Sequence, residues 1–251
     1  MEQQNKEALI LEKVFAEVNN PTWAMLEQFL TAHQIDYENG KPKVVHIDMT
    51  NPERALVYLA VRGQDFYYGA WVDTKDEIQL NWMDALPKID IFLLAESETL
   101  TAEEMAALTR LDTQVARRIG ELKSPKAKVE HKDSAIFIEP NPNPGFFDDK
   151  LLQLVDLLDD DKEGIRALAQ KAETYIVATC LYYSGYWNLG QLKVDPKITK
   201  RIVDLNLGIA INLQAWGDPI LEEPDVEELL QKLKEKDLRE LEERKKPTRI
   251  P

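Results

Sequence analysis

The chain is expected to fold as an α+β protein of two α/β sandwich domains, residues 1–87 and 88–217, followed by a charged C-terminal helix over 218–251. Three observations carry this expectation. Residues 89–216 hold three extended apolar runs that alternate with segments of helical period, and such runs fold as a sheet with helices packed on it. Residues 44–82 place apolar side chains at every second position, as a strand with one buried face does. Residues 224–246 carry Val226, Leu229, Leu230 and Leu233 on one face amid Glu and Lys, with Glu228 four residues before Lys232.

The first element is a helix over residues 5–18, with Ala8, Leu11, Val14, Phe15 and Val18 at spacings of three and four. Pro21 and Thr22 restart a second helix carrying Trp23, Leu26, Phe29 and Leu30. After the Asn39-Gly40 turn come Val44, His46 and Asp48, then Val57, Leu59 and Val61, then Phe66, Tyr68, Ala70 and Val72. Gly63 supplies a hairpin between the last two runs, so residues 44–82 read as an antiparallel meander. Pro87 biases its predecessor to extended backbone and marks the domain boundary, with a new strand starting at Ile89. Thr101 and Glu104 make a capping box for a helix over 102–110. A strand follows over 134–139, then a stiff Asn-Pro-Asn-Pro-Gly loop at 141–145. Leu151, Leu154, Val155 and Leu158 form a helical face that breaks at 159–164 and resumes at Ile165, Leu168 and Ala169. Residues 174–183 are the next strand, Asp195-Pro196 caps a helix through Ile198, Ile202 and Val203, and residues 207–213 close the sheet.

A net charge of −14, from 31 Lys and Arg against 45 Asp and Glu, repels phosphate backbones and anionic lipids, which disfavours nucleic-acid and membrane partners and favours a basic one. One cysteine, Cys180, lies inside an apolar run, so no internal disulfide forms and a reducing compartment fits. The charged N-terminal residues lack the apolar stretch of a signal peptide, and the cytoplasm is the expected location.

Catalytic signatures are absent. His33, His46 and His131 stand at no metal spacing, Ser184 lacks the flanks of a nucleophile elbow, and no glycine-rich phosphate loop occurs. Asp159, Asp160, Asp161 and Gly164 imitate a calcium loop, but its twelfth place is Gln170, and a solvated helix-helix turn accounts for the run better. No cofactor, metal or catalytic residue is assigned. Two groups of side chains do suggest contact. Asp148, Asp149, Asp159, Asp160 and Asp161 cluster in sequence and suit a cationic surface. Trp71, Tyr186 and Trp187 belong to aromatic runs whose alternation exposes one member, and exposed aromatics anchor interfaces.

Residues 89–100 with Thr101-Ala-Glu-Glu-Met, then Arg117-Arg118-Ile119-Gly120, Asn143-Pro144-Gly145-Phe146, and Val194-Asp195-Pro196 through Leu207-Gly208-Ile209-Ala210-Ile211, resemble in that order a bacterial family known as domain of unknown function 4279. The family's usual tryptophan is replaced at Ala135. The resemblance implies a ferredoxin-like α+β second domain with a mixed sheet and carries over no catalytic residue. The stretch 46–73 has the look of small bacterial immunity proteins, an analogy only.

The expected function is therefore non-enzymatic protein binding in the bacterial cytoplasm, as an immunity-type inhibitor of a basic toxin, with the acids steering and the aromatics anchoring. The alternative is a hydrolase or small-ligand binder with a site between the domains, using Asp48, Asp73 or His46 as base near Arg54. A third reading gives the C-terminal helix a role in self-association.

Overall fold

The computed structural model describes residues 2–124, 126, 128–184 and 192–217. The predicted helix over 218–251 and the anchors Tyr186 and Trp187 lie outside these residues.

Helices α1 (Glu2–Asn19) and α2 (Ala24–Ala32) come first. α1 buries Ile10, Val14 and Val18, spaced by four along one face, while Leu11 and Phe15 flank that stripe and are only partly covered. Glu17 accepts from the backbone N–H groups of Thr22 and Trp23 at 2.7 and 3.0 Å and so shapes the turn into α2. Asn39 and Gly40, with φ of 52° and 77°, join strands β1 (Tyr37–Glu38) and β2 (Lys41–Pro42) through the turn whose twist suits a hairpin.

Four strands make the expected meander: β3 (Val44–Asp48), β4 (Arg54–Ala60), β5 (Phe66–Asp73) and β6 (Gln79–Ser97), each antiparallel to the next. β6 departs from expectation. It runs unbroken through Pro87, where a boundary and a fresh strand from Ile89 were predicted. Its register with β5 ends at Pro87 opposite Phe66. Its register with another strand begins at the next residue, Lys88, so the missing N–H of the proline falls where one ladder hands over to the other.

The remaining elements are α3 (Ala102–Ala106), β7 (Gln114–Arg117), β8 (Ser134–Ile138), α4 (Phe147–Asp159), α5 (Lys162–Lys171), β9 (Glu173–Tyr183), α6 (Pro196–Asp204) and β10 (Gly208–Trp216). The capping box of α3 forms as predicted, but the helix stops at Ala106 instead of Arg110, because Asp161 captures the Thr109 hydroxyl at 2.8 Å and the Arg110 N–H at 2.6 Å. Ile202 belongs to α6, as its helical spacing from Ile198 predicts. Asn206 at φ 59° ends that helix, with the Leu207 N–H returning to the Ile202 carbonyl at 3.1 Å.

An 8-stranded sheet unites the chain in the order β10-β9-β6-β5-β4-β3, with β8 also beside β6 and β7 beyond it. β9 and β10 are parallel and the other pairs antiparallel, so the sheet is mixed. The apolar side chains nevertheless gather in two cores that divide near Pro87. One, under α3 to α6, includes Ile91, Leu93, Leu154, Leu158 and Ile176; the other, under α1 and α2, includes Phe29, Val57, Leu59 and Tyr68. Strand alternation puts Cys180 and Tyr183 on opposite faces of β9, and they fall in the first and second core respectively. The two cores share β6, which gives Met83 and Ala85 to one and Ile89, Ile91, Leu93 and Ala95 to the other.

A candidate partner-binding face

The meander face turned away from α1 and α2 is readable from register. Across β3, β4 and β5 the pairs His46↔Tyr58, Asp48↔Leu56, Arg54↔Asp73 and Leu56↔Trp71 share one side, and Trp71↔Trp82 extends it onto β6. Leu56, Tyr58 and Leu86 form a small buried cluster there, with Tyr67 and Trp71 packed over it. Trp82 is 47% exposed. The face is therefore an aromatic floor with acids at its margin.

α4 supplies the other wall. Its first turn carries Asp148 and Asp149, both exposed, beside the helix N-terminus, where the macrodipole favours negative charge. Burial, together with the charges of Asp148 and Asp48, pushes the Asp149 carboxyl above the usual range. Tyr58 responds likewise: burial first, then Asp48, Asp149 and Tyr67, raise its phenol well above the ordinary tyrosine value. Tyr67, whose ring centroid lies 5.7 Å from that of Tyr58, is pushed up to about 12 by burial and by Asp90 and Asp65. The Tyr58 hydroxyl is sealed from solvent and has no hydrogen-bond partner among the described residues. Nor does any cation there pair with Asp48, Asp148 or Asp149, since neighbouring Lys150 turns inward and donates from Nζ to the Asn143 carbonyl at 2.9 Å.

The predicted contact residues are thus split. Trp71, Asp148 and Asp149 meet around this face, but Asp159, Asp160 and Asp161 sit at the far end of α4, about 16 Å away along the helix axis. Asp159 is held by Arg201 at 2.8 Å and Lys162 at 3.3 Å. Asp160 is exposed, and its carbonyl accepts from Arg110 Nη2. Asp161 corrects the expectation of a solvated turn, being only 5% exposed. It caps α5 and binds Thr109 and Arg110, so it is an internal tether with nothing to offer a partner. The residues of the enzyme reading do share the face, but its two aspartates are already hydrogen-bonded or paired. Asp48 accepts from the N–H and hydroxyl of Thr50 at 2.9 and 2.7 Å, and Asp73 is taken by Arg54 at 3.5 Å and Asn81 at 3.2 Å.

A second polar site escaped the sequence reading. Arg117 on β7 bonds both Glu96 and Asp133, and Tyr175 donates to Glu96 at 2.9 Å. The hydrogen bond that Arg117 donates to Asp133 leads the causes that raise the guanidinium above its ordinary value, and Arg117 in turn holds Asp133 low. Glu96, Arg117 and Asp133 line a cavity of about 500 Å³ together with Lys132, Lys171 and Glu173. The Arg117-Arg118 pair was its only sequence signal, because Glu96, Asp133 and Tyr175 come from three other places in the chain.

Residues 87–216 match the family described as domain of unknown function, DUF4279. The chain belongs to that family. No curated protein and no solved structure matches it. The DUF4279 region begins where β6 changes partners and contains α4 with Asp148 and Asp149, as well as the Arg117 cavity. The meander with His46, Asp48, Tyr58 and Trp71 precedes it. The aromatic face with its acids is accordingly assembled from the DUF4279 region and from residues ahead of it.

Proposed function

We propose that the protein binds a basic protein partner through the face that Trp71 and Trp82 share with Asp48, Asp148 and Asp149, as an immunity-type inhibitor of a cationic toxin acting in the cytoplasm. The carrying observation is the pairing of Trp82, 47% exposed, and the partly buried Trp71 with three carboxylates that no described cation neutralises. Aromatics give contact area at low rotamer cost, and unneutralised acids steer a cationic partner and raise its association rate. No described helix is long and apolar enough to cross a membrane.

In this reading the second half is a ferredoxin-like unit. The order β9-β6-β8-β7, all antiparallel, with helices after β6 and β8, supports that topology, and α6 with β10 extends it. The first half acts as a second unit that presents the face, its own core supporting the division at Pro87. Self-association through residues 218–251 is compatible with this proposal and is tested separately by the mass of the protein in solution.

The experiment is capture of partners from the host by the tagged protein, beside Trp71→Ala and Trp82→Ala. One basic protein recovered by the wild type and lost with both substitutions supports the reading. The same yield from all three removes this face from the function.

A further inference from the structure

At β10 the sheet ends on apolar side chains that nothing among the described residues covers. β10 pairs only with β9 there, so its outer side is open. The parallel register sets Ile209, Ile211 and Leu213 beside Ile176, Ala178 and Cys180, on the face that packs the first core. Ile209 still packs against that core, but Ile211 and Leu213 are 43% and 49% exposed, although their neighbours on β9 are buried. The core thus runs out to the edge of the sheet and stops bare. α6 stands beside this strip. Its Arg201 grips Asp156 and Asp159 of α4 at 2.6 and 2.8 Å. Val203 lies about 200° further round the helix and projects from the opposite flank, where it is 66% exposed. α4 packs on β6, which lies across β9 from β10, so the flank of α6 turned away from α4 faces the β10 edge. Sheet and helix together form an apolar corner.

We propose that this corner seats residues 224–234 of the same chain as a helix, with Val226, Leu229, Leu230 and Leu233 turned onto Ile211, Leu213 and Val203. Val226 follows Gly217, the residue after β10, by nine residues, a reach of up to about 30 Å. Ile211 lies only about 20 Å back along the strand from Gly217, so the connection is long enough. The lengths of the two apolar stripes agree as well, with about 10 Å of helix from Val226 to Leu233 and about 13 Å of strand from Ile209 to Leu213. Lys200, one turn before Val203 on the same flank, is exposed and has no ion pair among the described residues, and Asp225, Glu227 and Glu228 border the stripe that would lie beside it. A tether this short holds the segment at an effective concentration of about millimolar, which favours its own chain over a second copy. Covering the edge also removes a bare strand that would otherwise pair with other chains. The DUF4279 region ends at Trp216, so it supplies the corner and the occupant lies beyond it.

The test is made on the full chain, whose native Cys180 is buried. Ile211→Cys, Val203→Cys and, as an exposed site away from the corner, Val129→Cys are prepared separately and labelled with a maleimide. Labelling should be slower at 211 and 203 than at 129. Adding Leu229→Glu and Leu230→Glu should raise the first two rates about tenfold or more, since two apolar side chains no longer hold the segment down, and leave the third unchanged. Labelling at 211 and 203 as fast as at 129 overturns the proposal, and so does slow labelling that ignores the two glutamates. Slow labelling relieved by dilution, with the mass of a dimer in light scattering, gives the corner to a second copy and overturns it too. None of these outcomes depends on the partner-binding face.

Discussion

At Asp161 a carboxylate with 5% exposure gathers the Thr109 hydroxyl, the Arg110 N–H and Nε, and the N–H of Gly164. Burial alone would raise its pKa, but these donors outweigh burial and hold the carboxyl below the usual range. Asp161→Asn should therefore lower the free energy of unfolding by about 2 kcal/mol, read from the urea midpoint at neutral pH. The pH dependence follows from the same direction. A depressed folded pKa gives stability that is complete above the unfolded value of about 3.9 and lost as pH falls through the folded value, so the acid limb should be shallower in Asp161→Asn. Asp149 has the opposite sign. Its raised folded pKa penalises the charged form, so the penalty is present above that pKa and relieved as pH falls through it. Asp149→Asn should thus gain stability at neutral pH. In sequence, Asp159, Asp160 and Asp161 look alike; what separates them is Thr109, Arg110 and Arg201, each more than forty residues distant.

Elements were legible wherever a local signal fixed them. The Asn39-Gly40 turn, the Thr101 capping box and the Asp195-Pro196 start need only near neighbours, and all three form. β7 was missed because Gln114–Arg117 is short and carries no alternation, and its pairing with β8 supplies what propensity does not. α5 offers a case where local and tertiary preferences disagree. Gly164 lies in its first turn, where alanine would be the better helix former. A Cβ there would come within 2.3 Å of Asp161 Oδ2 and 2.8 Å of the Leu108 carbonyl, and the backbone oxygen cannot turn aside. Gly164→Ala should destabilise by about 1–3 kcal/mol, as overpacking does, and a thermal midpoint at or above that of the wild type would mean that propensity wins.

At the scale of the molecule, periodicity showed two sets of strands and helices but not how they join. A proline between two apolar runs reads as an interruption, and only the pairing on either side reveals one 19-residue strand serving both cores. That shared strand links the halves mechanically. Loss of β6 from one ladder frees its residues from the other, and Tyr183 carries contacts from β9 into the core under α2, stacking near Phe66 at 5.3 Å. Unfolding in urea should then be a single event. With Trp187 and Trp216 replaced by phenylalanine, fluorescence of the remaining Trp23, Trp71 and Trp82, all ahead of Pro87, should trace the same curve as far-ultraviolet dichroism of the whole chain, and separated midpoints would show the halves opening independently.

Cys180 sits on β9 opposite Ile89, at the point where β6 has just taken its second partner. Burial and the charge of Asp90 push its thiol up to about 11, so at neutral pH it is both covered and protonated, a poor nucleophile on two counts. One such sulfur per chain makes a chemical clock. A maleimide added to the native protein should react only as fast as β9 parts from β6, and the labelling rate reads the lifetime of that seam without denaturant.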